Sequence, residues 1–144
     1  MHNDRLYLRH QSRSPIKQLM IQYYRPALYV QFLYAFLVII WNAVGLWQRS
    51  EGLVSIGPTA STSVIAFALT LVVALYLLVN VGAQKFYMMT SLVILVVASL
   101  AIFSAFTKDL NLWTSEFWRW AGVLINSIGV ASFFLAVKIY KNNN

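Results

Sequence analysis

Residues 63–81 read SVIAFALTLVVALYLLVNV, nineteen positions without a charged side chain. A hydrocarbon core about 30 Å thick is crossed by roughly 20 apolar residues as a helix. The stretch also lacks the alternation of apolar and polar residues that a strand of a membrane barrel requires. It is therefore read as a transmembrane helix, and three further stretches repeat its character: ALYVQFLYAFLVIIWNAVGLW (27–47), FYMMTSLVILVVASLAIFSAF (86–106) and FWRWAGVLINSIGVASFFLAV (117–137). At 21 residues, with no small-residue cleavage site after it, the first is too long for a secretory signal and is expected to be retained.

Composition agrees. Of 144 residues, 60% are hydrophobic and 10% charged, against roughly 25% charged in an average soluble domain. The connections at 48–62, 81–85 and 107–116 are too short to hold a folded soluble domain. The expected fold class is thus an all-α integral membrane protein with four transmembrane helices in an antiparallel bundle. Its parts are a basic tail at 1–26, the membrane domain at 27–138 and a short tail at 139–144.

The bases set the expected orientation. With both termini cytoplasmic, that side carries Arg5, Arg9, Arg13, Lys17, Arg25, Lys85, Lys138 and Lys141, and the other side Arg49, Lys108 and Arg119. This is a positive-inside bias. All five tryptophans fall in the outer half, and all eight tyrosines in the inner half or the N-terminal tail, as two interfacial belts would arrange them. A bacterial inner membrane is the expected location. Ahead of the first span, Ser14 and Pro15 start a helix and Pro26 ends or kinks it. Ile16, Leu19, Met20 and Tyr23 share one face of it. A short interfacial helix at about 15–24 is therefore expected, with Arg13, Lys17 and Arg25 meeting anionic lipid on the cytoplasmic side.

Little in the chain resembles chemistry. Cysteine is absent, both histidines (His2 and His10) lie in the tail, and the central parts of the spans hold no ionisable group. A proton-coupled carrier or an intramembrane hydrolase would need such groups. Neither GxxxxGK nor GxGxxG occurs, so no phosphate loop is expected. The reading is of a chain that is not an enzyme, has no cofactor or metal, and binds no nucleic acid.

What remains is packing and interface. Gln31, Ala35, Val38, Asn42 and Gly45 form one stripe of the first span, and Gly122, Asn126, Gly129, Phe133 and Ala136 one stripe of the last. Small residues allow helices to approach closely in lipid, and amides find partners across the gap. The candidate packing or partner surface is Ala35, Asn42, Gly45, Gly122, Asn126 and Gly129. At the outer end, TSEFWRWAGV (114–123) crowds an acid and a base among aromatics. Trp113, Glu116, Trp118, Arg119 and Trp120 are the candidate contact there for lipid or a partner helix, with a Glu116–Arg119 pair as its structural alternative.

The function expected first is a non-catalytic small membrane subunit that packs against other transmembrane helices to stabilise, assemble or regulate a larger complex, with a membrane-protein partner or a second copy of itself. The alternatives are an oligomeric pore, transporter or membrane-perturbing effector, with a path lined by Asn42, Asn126, Thr70 and Ser99, and a lipid-binding membrane protein.

Overall fold

The computed structural model describes residues 15–142, with side chains from residue 22 onward. Every regular element in that range is helical: α1 (Pro15–Ser50), α2 (Thr62–Val81), α3 (Gln84–Thr107) and α4 (Glu116–Asn142), with a short 3-10 turn at Leu110–Leu112. All four long helices are long and apolar enough to cross a membrane, and the protein is a membrane protein on that ground. α1 packs against α2 and α4, α3 packs against α4, and α2 meets α3 least closely of these neighbours.

The helix ends follow from local chemistry. α1 and α2 each close on a glycine with left-handed φ, Gly52 at 72° and Gly82 at 78°. In both, the glycine N–H returns to the carbonyl three residues back and the next N–H reaches five back: Gly52 to Arg49 and Leu53 to Gln48, then Gly82 to Val79 and Ala83 to Leu78. This arrangement satisfies carbonyls that the helix end would otherwise leave open. Ser61 caps α2, its Oγ accepting from the Ser63 N–H at 3.2 Å, and Asp109 caps the 3-10 turn through the Asn111 N–H at 3.1 Å. α4 opens with Glu116, a carboxylate in the first turn where the helix dipole favours it.

One expectation is corrected. There is no separate surface helix ending near residue 24, because α1 runs unbroken through Pro26. Proline removes one backbone donor and crowds the preceding turn, but burial of the neighbouring residues outweighs that cost. Tyr24, Ala27 and Leu28 are all buried. The Tyr24 ring meets Tyr87 of α3 edge-on at 4.9 Å, and its hydroxyl accepts from Gln84 Nε2 at 2.8 Å. Arg25 is exposed, whereas Arg13 and the Lys17 side chain lie outside the described residues.

The core runs between the helices from Tyr24 and Tyr87 through Leu75, Val79, Ile94 and Ala98 to Ala136. Gln31 is fully enclosed, as are Ser91 and Ser132, and is the largest of these three polar side chains. Gln31 Nε2 donates to Ser91 Oγ at 2.9 Å, and its Oε1 accepts from the Tyr87 hydroxyl at 2.8 Å. Both amide functions are thereby satisfied away from water, as a buried amide requires.

Candidate functional site

Both small-residue stripes turn inward. Gln31, Ala35, Asn42 and Gly45 of α1 are buried, as are Gly122, Gly129 and Ala136 of α4. A methyl group on Gly45 would stand 2.6 Å from Ala60 Cβ and 2.7 Å from Ser55 Oγ, and one on Gly129 would stand 2.9 Å from the Tyr34 ring and 3.1 Å from Ala98 Cβ. These two glycines are needed for close approach inside the chain.

The two asparagines are bonded across elements, but not to each other. Asn42 Nδ2 donates to its own helix at Val38 O (2.8 Å), while its Oδ1 accepts the backbone N–H of Ser61 (3.0 Å). Asn126 Nδ2 donates to Gly122 O (2.8 Å), and its Oδ1 accepts from the Tyr34 hydroxyl of α1 (3.2 Å). Thr70 and Ser99, expected to share a path with them, are exposed on the outside of α2 and α3. The four residues do not converge on a pore within this chain.

What the asparagines do border is a cleft of about 300 Å³ reached by all four helices. α1 contributes Tyr34, Val38, Trp41 and Asn42. α2 gives Val64, and α3 gives Val97, Leu100, Ala101, Ser104 and Ala105. Gly122, Ile125 and Asn126 come from α4, with Trp113 just before it and Pro58 and Thr59 from the α1–α2 connection. The walls are mainly apolar; their polar side chains are Tyr34 and Asn126, which are bonded to each other, with Asn42, Thr59, Ser104 and Trp113. A narrower pocket of about 30 Å³ shares Tyr34, Val38, Val64 and Val97 with the cleft and extends it between α1, α2 and α3.

The α1–α2 connection lines this cleft at the end where the tryptophans lie, and it is fixed from several sides. Arg49 donates to Ala60 O at 2.8 Å and to Pro58 O at 3.0 Å. Gln48 Oε1 accepts the Ile56 N–H at 2.6 Å, and the Thr114 hydroxyl lies 3.1 and 3.0 Å from the carbonyls of Val54 and Ser55. Ser55, Ile56, Gly57 and Ala60 are buried. Gly57 lies against the indole of Trp41, whose Nε1 would come within 2.8 Å of any Cβ there. The Gly57–Pro58 turn, legible in the sequence, thus allows the connection to seat on Trp41.

The outer aromatic group separates into two parts. On one side the Arg119 guanidinium pairs with Glu116 at 2.8 Å and lies 5.9 Å from the Phe106 ring centroid and 5.8 Å from that of Trp120. Phe106 and Trp120 also meet edge-on at 5.5 Å. This clamp ties α3 to the start of α4. On the other side Trp118 meets Trp41 edge-on at 5.9 Å, and Trp113 lies beside Gly122 on the cleft wall. Trp113, Asn42, Gly122 and Asn126, singled out in the sequence for different reasons, therefore border one space. Ala35 borders only the narrower pocket, and Glu116, Trp118, Arg119 and Trp120 border neither. Trp41 and Tyr34 were not among the candidates. Their signal was a tryptophan and a tyrosine seven residues apart, a spacing that places both on one face of a helix.

Two buried donors lack a hydrogen-bond partner among the described residues, Trp113 Nε1 and Arg119 Nε. No Lys, Arg, Asp or Glu borders the cleft, and no group of His, Cys, Asp or Glu suited to a metal occurs among the described residues. Comparison with protein-family models, curated proteins and solved structures finds no match for this chain.

Proposed function

We propose that this chain is a non-catalytic protein of a bacterial inner membrane, an antiparallel four-helix bundle with cytoplasmic termini, and that it takes a lipid-like molecule from the bilayer into the cleft between its helices. One observation carries the reading: the cleft is lined at its tryptophan end by a connection pinned through Arg49, Gln48, Asn42 and Thr114, while α2 and α3, which both border it, pack on each other less extensively than the other neighbouring pairs do. A space lined by a pinned connection at one end and bordered by two loosely packed helices is suited to a ligand already dissolved in the membrane. Its size fits too. A cavity of about 150 Å³ takes one benzene, so about 300 Å³ accommodates on the order of a dozen carbon atoms. The orientation rests on the lysines and arginines on the side of the termini.

The test is native mass spectrometry of the protein with medium-chain lipids, comparing the native chain with Ala101→Phe, which fills the cleft from α3. Wild type should retain a medium-chain ligand, and the variant should lose it while keeping its helical circular dichroism. Equal retention by both would refute the cleft as the site.

The second reading is a small subunit packing against other transmembrane helices in a larger complex. It draws on Leu92, Val96 and Phe103, which stand exposed on α3 away from the cleft. Lipid chains satisfy that face equally, and the stripes that first suggested a partner are spent inside the chain. Isolation in mild detergent separates the readings: a stable protein partner favours the subunit, and a lone monomer carrying lipid favours the cleft.

A further inference from the structure

We infer that the cleft takes one alkyl chain of a bilayer amphiphile, tail first with the headgroup left outside, and that the narrow pocket beneath it sets the length of chain accepted; this rests on the ligand-binding reading above. Among the residues that border the cleft, Thr59, Val97 and Leu100 are the exposed ones. The cleft is open beside them, with Val64 bordering the same space from α2. From Ala105 the lining descends α3 through Ala101 and Val97, and it continues in the narrow pocket to Ile94. That descent is about 16 Å of helix at 1.5 Å per residue, roughly half of a hydrocarbon core about 30 Å thick. The space therefore lies lengthwise within one leaflet, on the tryptophan side, in the direction that lipid chains run. Its lower end is closed, because Gln31, Ala35, Ala68, Leu75 and Ile94 around the narrow pocket are all buried.

Volume decides between occupants. A partner helix about 10 Å across fills roughly 800 Å³ in every ~10 Å of its length, far more than the cleft's 300 Å³ or so. One alkyl chain fits. Benzene in about 150 Å³ allots roughly 25 Å³ to each carbon, so the cleft takes about a dozen carbons and the narrow pocket, at about 30 Å³, about one more. The polar side chains of the wall do not choose a headgroup. Tyr34 and Asn126 hold each other, and Thr59 and Ser104, at the tryptophan end, carry hydroxyls that both donate and accept. What the wall can distinguish is length. Lipid tails are as apolar as the wall, so a longer chain gains nothing merely by leaving the bilayer. A chain that stops short leaves a void, which weakens binding about threefold per missing carbon, and one that overruns must crowd Leu75 and Ile94.

The test uses saturated monoacylglycerols from octanoyl to palmitoyl, presented at equal concentration to the full chain in phosphatidylcholine nanodiscs. Retention is read by native mass spectrometry for wild type and for two variants of the narrow pocket, each checked for helical circular dichroism. Wild type should retain the dodecanoyl probe best, with retention falling about threefold per carbon on the shorter side and falling again on the longer. Ala68→Val adds bulk to the floor and should move the optimum to decanoyl. Leu75→Ala vacates the floor and should move it to tetradecanoyl or longer. Opposite shifts are the signature of a measured length, and either variant alone decides should the other fail to fold. Leu92→Ala, exposed on α3 away from both spaces, is the control and should leave the profile unchanged. If retention by wild type is the same for all lengths, or rises steadily with length, or if the variants leave the optimum in place, the length selection is refuted while the cleft stands. If wild type retains no probe, the ligand-binding reading itself fails.

Discussion

Two buried glycines make a matched pair whose replacement by alanine should have opposite effects. At Gly45 an added Cβ would lie 2.6 Å from Ala60 Cβ and 2.7 Å from Ser55 Oγ. Carbon atoms rest about 3.5–4.0 Å apart, so the connection must retreat by about 1 Å. Ala60 Cβ is fixed to its backbone, whose carbonyl holds Arg49, and the next N–H is bonded to Asn42. The strain therefore cannot be relieved by a side-chain rotation alone. Overpacking of this kind costs about 1–3 kcal/mol, and the gain in helix propensity from Gly to Ala returns up to about 1 kcal/mol. Gly45→Ala should destabilise the protein by about 1–2 kcal/mol. At Gly122 the nearest atoms to an added Cβ are those of Trp41 and Trp113, at 3.4 to 3.6 Å. That is close to ordinary contact, so the propensity gain is barely opposed and Gly122→Ala should be neutral or stabilising by up to about 1 kcal/mol. Unfolding by sodium dodecyl sulfate in mixed micelles, followed by circular dichroism, measures both. If Gly122→Ala proves as destabilising as Gly45→Ala, the packing assigned to the connection and to the cleft wall is wrong.

Three further outcomes follow from the contacts. Gln31→Leu and Tyr87→Phe should each lose about 1–2 kcal/mol by stranding a buried partner, and the double variant should lose less than their sum, a coupling of about 1 kcal/mol that a double-mutant cycle in the same unfolding assay reads directly. Gly82→Ala places a side chain at a φ of 78° and should cost about 1–2 kcal/mol by the same measurement. Glu116→Gln should change stability by less than about 1 kcal/mol, because Glu116 is 66% exposed and surface pairs contribute little; a larger loss would assign the Arg119 clamp a greater role than its geometry supports.

The four spans were legible because the energetic demand behind them is local: an uncharged run of sufficient length declares itself in any arrangement. Gly52 and Gly82, in the connections, mark where two of the helices stop. The passage of α1 through Pro26 was not legible, since what holds it is the burial of Tyr24 against Tyr87 and Gln84, some sixty residues away. The stripes of small and amide residues showed that something packs closely on α1 and α4. They did not show that the something lies within the same chain. The partners are a loop N–H for Asn42, a tyrosine for Asn126 and a Ser–Tyr pair for Gln31, and no spacing rule links such distant residues. The outer cluster at 114–123 looked like one site because its residues are adjacent in sequence. A helix sends neighbouring positions to different faces, so Arg119 and Trp120 went to α3 while Trp118 went to Trp41.

The claim that the cleft between the four helices is where a membrane-dissolved ligand resides is tested most directly by photolabelling. A medium-chain fatty ester carrying a diazirine at its chain end, irradiated with the protein in nanodiscs, should label peptides spanning 34–42, 97–105 and 122–126, and excess methyl decanoate should suppress that labelling. Labelling spread over exposed positions such as Phe86, Leu92 and Phe134, unaffected by the competitor, would contradict the account.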